Sequence, residues 1–301
     1  MKNNNIRELT EFFSKIILGK NQQIKLTMAC LLARGHLLIE DVPGVGKTTL
    51  ALATAKAFNL DFQRIQFTND LLPSDILGVS IYEQSTGNFL FQKGPIFSQL
   101  VLADEINRAS PKTQSALLES MEEGQVSIEG KTQILPELFF VIATQNPEHQ
   151  IGTFTLPESQ IDRFLMRISL GYPEKEAELA LLMEKERSDM LKESKPFFDT
   201  NTLIDMQNEV KKIYTDKNVL HYILDLVQST REHEKVNDGL SPRATLALKR
   251  SSQAWAYIEG KEAVTPEDVQ EVFIAVAEHR LYGSENSKKI CEDILKTTAI
   301  P

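Results

Sequence analysis

Residues 42–49 read V-P-G-V-G-K-T-T and follow the apolar run His36-Leu37-Leu38-Ile39. No other stretch restricts the fold as tightly. An apolar strand enters a glycine-rich turn, and the turn opens into Leu50-Ala51-Leu52-Ala53, which continues as a helix. Strand, turn and helix in that order make a phosphate-binding loop in an α/β sheet. Gly44 and Gly46 let backbone N–H groups face phosphate oxygens with no Cβ in the way. The helix beyond adds the positive end of its dipole. Pro43, Gly44, Val45, Gly46 and Thr49 complete the candidate cradle for ATP around Lys47, which reaches toward the β- and γ-phosphates. Thr48 offers a hydroxyl to Mg²⁺. The usual pattern G-x-x-x-x-G-K-[ST] has a glycine where this chain has Asp41.

A second apolar run, Leu100-Val101-Leu102-Ala103, ends in Asp104-Glu105. A buried parallel strand reads as continuous apolar residues, and ligands bind at its carboxyl end. Asp104 is the candidate partner of Thr48 in the Mg²⁺ shell, and Glu105 the group that polarises an attacking water. The plain alternative is a strand ending in a solvated acidic turn. A third run, Phe139–Ala143, ends in Thr144-Gln145-Asn146-Pro147. Asn146 is placed to hydrogen-bond both the water and the γ-phosphate; the alternative is an Asn-Pro turn.

The chain has 301 residues, enough for two domains, with 42% hydrophobic and 25% charged residues. Its formal charge is −9, and Lys211-Lys212 and Lys288-Lys289 are isolated pairs. Without clustered Lys and Arg, nucleic-acid binding is not expected. No apolar run reaches about 18 residues and the start lacks an apolar signal core, so a cytoplasmic protein without membrane insertion is expected. Cys30 and Cys291 read as reduced packing residues, and the five scattered histidines suggest no transition-metal site.

Apolar spacing predicts two helices between about 6 and 34, broken at Gly19. Strands and helices then alternate to about Gly171, which implies a parallel αβα sheet. Two hairpins interrupt it. In Val79–Gln92, Ile81 and the pair Phe89/Phe91 flank Ser85-Thr86-Gly87-Asn88; in Gln125–Leu135, Val126 and Ile128 precede Glu129-Gly130. Phe89 and Phe91 either pack on their own domain or meet a partner. Pro111–Glu122 reads as an amphipathic helix stopped by Gly124, with Glu119, Glu122 and Glu123 at a solvated end. From about Glu174 only helices are expected: Glu176–Glu193, Asn201–Tyr214, Asn218–Glu234, Pro242–Glu259 and Pro266–Arg280, with Ser194–Thr200 as a partly ordered linker. The predicted division is a core over residues 1–173 and an all-helical domain over 174–301.

Taken in order, E-D-V-P-G-V-G-K-T, L-A-D-E-I-N-R-A, A-T-Q-N-P, L-P-E-S-Q-I-D-R-F and G-L-S-P-R-A are together similar to the motifs of the MoxR family of AAA+ ATPases. The resemblance runs from about Ile17 to about Tyr282, and Asp at position 41 is usual in that family. It implies a P-loop NTPase core with a C-terminal helical lid. Lys47 and Thr48 correspond to Walker A, Asp104 and Glu105 to Walker B, and Asn146 to sensor 1. Arg163 matches an arginine finger acting on ATP held by the neighbouring subunit. Arg243 matches sensor 2, acting in cis from the lid; it follows Ser241 as N-cap and Pro242 as first helical residue. A local pair of Arg163 with Asp162 or Glu158 and a surface role for Arg243 are the alternatives, and Arg108 is a lesser interface candidate. Ile17-Leu18-Gly19-Lys20 resembles the stretch that packs near adenine. The hairpins correspond to the helix-2 insert and the pre-sensor-1 hairpin, facing a pore or partner, or else packing on their own domain.

The resemblance further implies a ring-forming homo-oligomer, a hexamer, that hydrolyses ATP to remodel a protein client beside a partner with a von Willebrand factor A (VWA) domain. A chelatase motor subunit, a nucleic-acid motor and a nucleotide switch without turnover are the other readings. The hairpins offer Lys131 and no further basic residue, which speaks against the nucleic-acid motor. Glu105 with Arg163 speaks against the switch.

Overall fold

The structure is a computed structural model that describes residues 2–85, 87–146, 153–183, 187–281 and 286–301. Thr86, Pro147 and Tyr282 lie outside the described residues. The chain opens with helices α1 (Lys2–Ile16) and α2 (Asn21–Leu32). Gly19 breaks them at a φ of +70°, which glycine adopts without strain. Next come β1 (Leu37–Glu40), α3 (Lys47–Ala57), β2 (Phe62–Gln66), α4 (Pro73–Leu77), β3 (Gly78–Glu83), β4 (Asn88–Lys93) and β5 (Leu100–Asp104). They are followed by α5 (Pro111–Glu123), β6 (Gln125–Ile128), β7 (Lys131–Ile134), β8 (Phe140–Gln145), α6 (Glu158–Ile161) and β9 (Met166–Ile168). Only helices follow: α7 (Lys175–Met183), α8 (Arg187–Glu193), α9 (Thr200–Val210), α10 (Lys217–Glu232), α11 (Pro242–Ile258), α12 (Pro266–Ala277) and α13 (Ser287–Thr297).

Five strands form one sheet in the order β2-β5-β8-β1-β9, and every neighbouring pair is parallel. The registers Glu40↔Gln145 and Gln66↔Asp104 bring the carboxyl ends of β1, β8, β2 and β5 to one edge. β5 and β8 are buried along their whole length, which is why their sequences are apolar without alternation. The two-residue period then divides the core. Leu37, Ile39, Leu102 and Ile142 face one cluster, and Leu38, Val101, Ala103 and Val141 face the other. The first cluster continues through α2 into Leu248, Trp255 and Phe273 of the C-terminal helices. These helices therefore share a core with one face of the sheet.

Both hairpins form. β6 and β7 are joined by Glu129 (φ +50°) and Gly130 (φ +75°), the left-handed pair that a two-residue turn requires. At the base of β3–β4, two glycines touch through their backbones. A Cβ on Gly94 would lie 2.2 Å from the carbonyl of Ile76 and 2.5 Å from the nitrogen of Gly78. The two phenylalanines divide: Phe91 packs on Phe97 with ring centroids 5.7 Å apart, and Phe89 stays 66% exposed.

One expectation is corrected. The stretch 194–200 is docked, not a loose linker. The N–H groups of Phe197 and Phe198 donate to the carbonyl of Ala57 at 2.9 and 3.1 Å, and Phe198 stacks on Phe58. The helices also continue past Arg280 into α13, which buries Ile290, Cys291 and Ile294.

Replacing Gly94 by Ala should force the hairpin base apart and destabilise the fold by about 1–3 kcal/mol, read as a lower unfolding midpoint. Burial pushes the Cys291 thiol up to about 12 and that of Cys30 higher still. Neither thiol should react with iodoacetamide at pH 8 in the native protein, and both should react in denaturant.

Candidate functional site

The loop 41–46 leaves the carboxyl end of β1 and closes onto α3. Gly44 and Gly46 have φ of +86° and +99°, and a Cβ built on either would meet nothing within 4 Å. Glycine is required there by backbone conformation, not by crowding within the chain. Gly46 is the N-cap of α3, so the first N–H groups of that helix open onto the loop. Lys47 is 8% exposed and its ammonium donates to the carbonyl of Asp41 at 2.6 Å and to Asn146 Oδ1 at 3.3 Å. Burial lowers its pKa, against the pull of Asp41, Asp104 and Glu105.

Asp41, the residue in place of glycine, fastens the loop to the start of the helical region. Its Oδ2 accepts from the N–H groups of Leu170 at 2.5 Å and Gly171 at 2.8 Å, and from the Ser169 hydroxyl at 3.1 Å. A glycine would lose all three bonds.

Asp104 and Glu105 stand at the same edge. Thr144 joins them: its hydroxyl donates to Asp104 Oδ1 at 2.6 Å and accepts from the Glu105 N–H at 2.8 Å. Arg64 on β2 holds the other carboxylate oxygen of Asp104 at 2.6 Å. Glu105 adopts a left-handed φ of +56°. Its carboxylate accepts from Arg108 at 2.8 Å, Gln66 at 3.1 Å and Asn146 at 3.3 Å. Asn146 thus touches Lys47 with its oxygen and Glu105 with its nitrogen. The donor set suits a hard cation, since Thr48 in the first turn of α3 and Asp104 offer hydroxyl and carboxylate oxygens.

Arg163 and Arg243 belong to the other edge of the sheet. Met166 pairs with Leu37 at the amino end of β1, and Arg163 lies three residues before it. The phosphate-type loop follows the carboxyl end of that strand, about 10 Å of strand away. Glu122 ends α5 at this amino edge. His36 fixes it there: Nδ1 accepts from the Val141 N–H at 3.0 Å and Nε2 donates to the carbonyl of Met121 at 3.3 Å. Burial holds the His36 pKa down to about 4, which keeps the ring neutral and its tautomer fixed.

Glu122 receives both arginines. Arg243 Nη2 lies 2.5 Å from Oε1, and Arg163 Nε lies 2.9 Å from Oε2. The Arg243 hydrogen bond and both guanidinium charges hold the Glu122 carboxyl below the usual range. The Arg163 Nε–H is not aligned on an acceptor, so its contact with Glu122 is weaker than that of Arg243. Arg243, expected to act in cis from the lid, is placed here at the amino edge. Its partners are Glu122 and, at 4.0 Å, Asp162, both at the edge opposite its own chain's loop. Glu122 is an ion-pair partner, not a solvated helix end. Arg108 contacts Glu105 of its own chain.

The family described as ATPases associated with various cellular activities (AAA) matches residues 36–166, and an AAA lid domain matches residues 228–297. A Bacillus subtilis protein named YeaC, itself uncharacterized, is 44% identical over 97% of this chain and 93% of its own. Chaperone MoxR1 of Mycobacterium tuberculosis is 38% identical over 95% of this chain and 80% of its own. The chain belongs to the MoxR family of AAA+ ATPases. A crystal structure from Cytophaga hutchinsonii superposes with a TM-score of 0.89 at 38% identity, covering 100% of this chain and 96% of that one. A magnesium-chelatase subunit of Arabidopsis thaliana is more distant, 29% identical over 60% of this chain and 43% of its own.

Within this AAA+ core, the residues foreseen from sequence fall into two groups, Lys47, Thr48, Asp104, Glu105 and Asn146 at one edge and Arg163 with Arg243 at the other. Sequence reasoning passed over Thr144, Arg64, Gln66, Glu122 and Arg280. The signal for Thr144 was present, since it sits inside A-T-Q-N beside Asn146. Arg64 and Gln66 alternate with the inward Ile65 on a strand whose register faces Asp104.

Thr144 is fully buried, and replacing it by Val would strand the Glu105 N–H and one Asp104 oxygen. A loss of about 1–3 kcal/mol is expected, measured by denaturant unfolding against Thr144→Ser as the hydroxyl-bearing control.

Proposed function

We propose that the chain hydrolyses ATP to ADP and phosphate in a ring, a hexamer, and uses that cycle to remodel or mature a protein client. The observation that carries this reading is the separation of one ATPase centre over two edges of a parallel sheet. Lys47, Glu105 and Asn146 cluster at the carboxyl edge, while Arg163 sits at the amino edge. A chain built this way completes its centre only against a neighbour. The loop residues Pro43–Thr49 and the N–H groups of α3 would hold the triphosphate, with Lys47 on its β- and γ-phosphates. Thr48 and Asp104 would hold a magnesium ion, which neutralises charge on the phosphates when bound. Glu105 then orients water, and Asn146 spans water and γ-phosphate. Arg163 and Arg243 act together on the nucleotide of the adjacent protomer, where a fixed guanidinium stabilises charge on the transferred phosphoryl group.

In this reading residues 1–173 form the nucleotide-binding core and 174–301 the lid. The name of the Mycobacterium tuberculosis relative, a chaperone, supports protein remodelling as the output. A VWA-domain protein is the proposed partner, with no nucleic acid and a cytoplasmic site of action. Among the described residues no helix is long and apolar enough to cross a membrane. The chelatase reading has less support, because that similarity covers 60% of this chain and 43% of the other at 29% identity.

Arg163→Ala should bind a fluorescent ATP analogue normally and lose about 10³-fold or more in turnover. Lys47→Ala should fail to bind it. Mixing the two inactive proteins should restore turnover, because interfaces form in which one supplies the loop and the other the arginine. Turnover by undiluted and diluted wild type that never falls with concentration would refute the shared centre.

A further inference from the structure

Arg280 is a guanidinium in the interior, 3% exposed, in the turn that follows α12. All five of its N–H donors have acceptors. Nε donates to Asp162 Oδ1 at 2.6 Å. Nη1 donates to the carbonyls of Leu165 at 3.1 Å and Val276. Nη2 donates to the carbonyls of Asp162 at 3.1 Å and Phe164 at 2.6 Å. Four of these acceptors belong to residues 162, 164 and 165, so they bracket Arg163 in the chain. His279 adds a fifth bond to this segment, its Nε2 donating to the Phe164 carbonyl at 3.1 Å. That carbonyl has no proton to give, so the ring nitrogen is the donor. Burial and the neighbouring Arg280 and Arg167 keep the imidazole neutral.

The Arg163 side chain is held far more loosely. Its contact is an ion pair with Glu122 in which the Nε–H is not aligned on an acceptor. The backbone on either side is fixed by buried bonds, while the guanidinium is held by a partly exposed ion pair. A group that must reach into another molecule gains from this arrangement, because its base is preorganised and only the side chain is ordered on contact. The fork geometry matters, since a planar guanidinium offers five donors in fixed directions where an ammonium offers three.

We propose that Arg280 is a positioning residue for Arg163, through which the lid of one protomer sets the arginine that it presents to the next. The proposal rests on Arg163 acting in trans.

The test measures ATP turnover in mixtures of full-length subunits. Arg280→Met alone should bind a fluorescent ATP analogue within about twofold of wild type and turn over at least about tenfold more slowly. Mixed with Lys47→Ala, which keeps an intact arginine edge, it should recover toward the level reached by Arg163→Ala mixed with Lys47→Ala. Mixed with Arg163→Ala it should not recover, since neither subunit then presents the arginine. A purely structural role would weaken both edges and show no such asymmetry. Recovery with Arg163→Ala, or wild-type turnover by Arg280→Met alone, would overturn the proposal. Failure of the Arg163→Ala and Lys47→Ala mixture would instead overturn the shared centre on which it rests. If Arg280→Met does not fold, Asp162→Asn weakens the same anchor while keeping an acceptor. The three mixtures should then show the same asymmetry with a smaller loss, and equal recovery with both partners would reject the idea.

Discussion

A parallel sheet has two unlike edges, and this one distributes chemistry between them. All carboxyl ends point one way, so the loop after β1, the carboxylates after β5 and the amide after β8 converge without long-range design. The amino edge receives what precedes each strand: His36 before β1 and Arg163 before β9. No rotamer change carries a side chain across a buried strand. The arrangement of strands therefore decides that Arg163 and its own Lys47 serve different surfaces. Antiparallel pairing would have mixed the two sets.

The ion pairs at the amino edge differ in strength. Around Glu122 the side chains are a quarter to a half exposed, from 24% for Arg163 to 52% for Arg243. Such contacts are screened and contribute little net stability, about 1 kcal/mol or less. They hold two arginines near each other without committing them. Arg280 with Asp162 is different, because a guanidinium at that depth must be fully bonded to be tolerated there. The weak pair sits on the Arg163 side chain and the strong one on the backbone that flanks it.

Much of this was legible in the residues. Continuous apolar runs announced β5 and β8, Glu129-Gly130 announced a two-residue turn, and the helix expected from Pro266 formed as α12, where Asp268 closes a capping box. Each depends on local chemistry. What escaped depends on partners distant in sequence. Glu122 reads as the polar end of an amphipathic helix, and nothing nearby reveals that residues 41 and 121 positions further on will meet it. Arg280 reads as the last residue of a helix until the fold buries it against the 162–165 segment. Arg243 was recognisable as a helix-start arginine, but its place beside Glu122 follows from lid placement, which local sequence does not encode. The 194–200 segment looked like a linker because two adjacent phenylalanines have no periodicity of their own; they dock on Ala57 and Phe58.

β9 ties these observations together. It has three residues, Met166–Ile168. After it, Leu170 and Gly171 donate to the carboxylate of Asp41 in the loop. Before it, Asp162 and the carbonyls of Phe164 and Leu165 are held by Arg280. In the middle, Arg167 pairs with Glu40 at the end of β1 and with Glu278 beside Arg280, each at 2.9 Å. The lid is therefore fastened to both edges of the core through one short strand. The covalent path from Leu170, which anchors the lysine loop, to Arg163 is fewer than ten residues long. A strand that short, hydrogen-bonded to β1 along its length, has little freedom to absorb a displacement at either end. In this fold the loop, the lid and the segment carrying Arg163 are joined by hydrogen bonds and ion pairs that converge on β9 and its flanks.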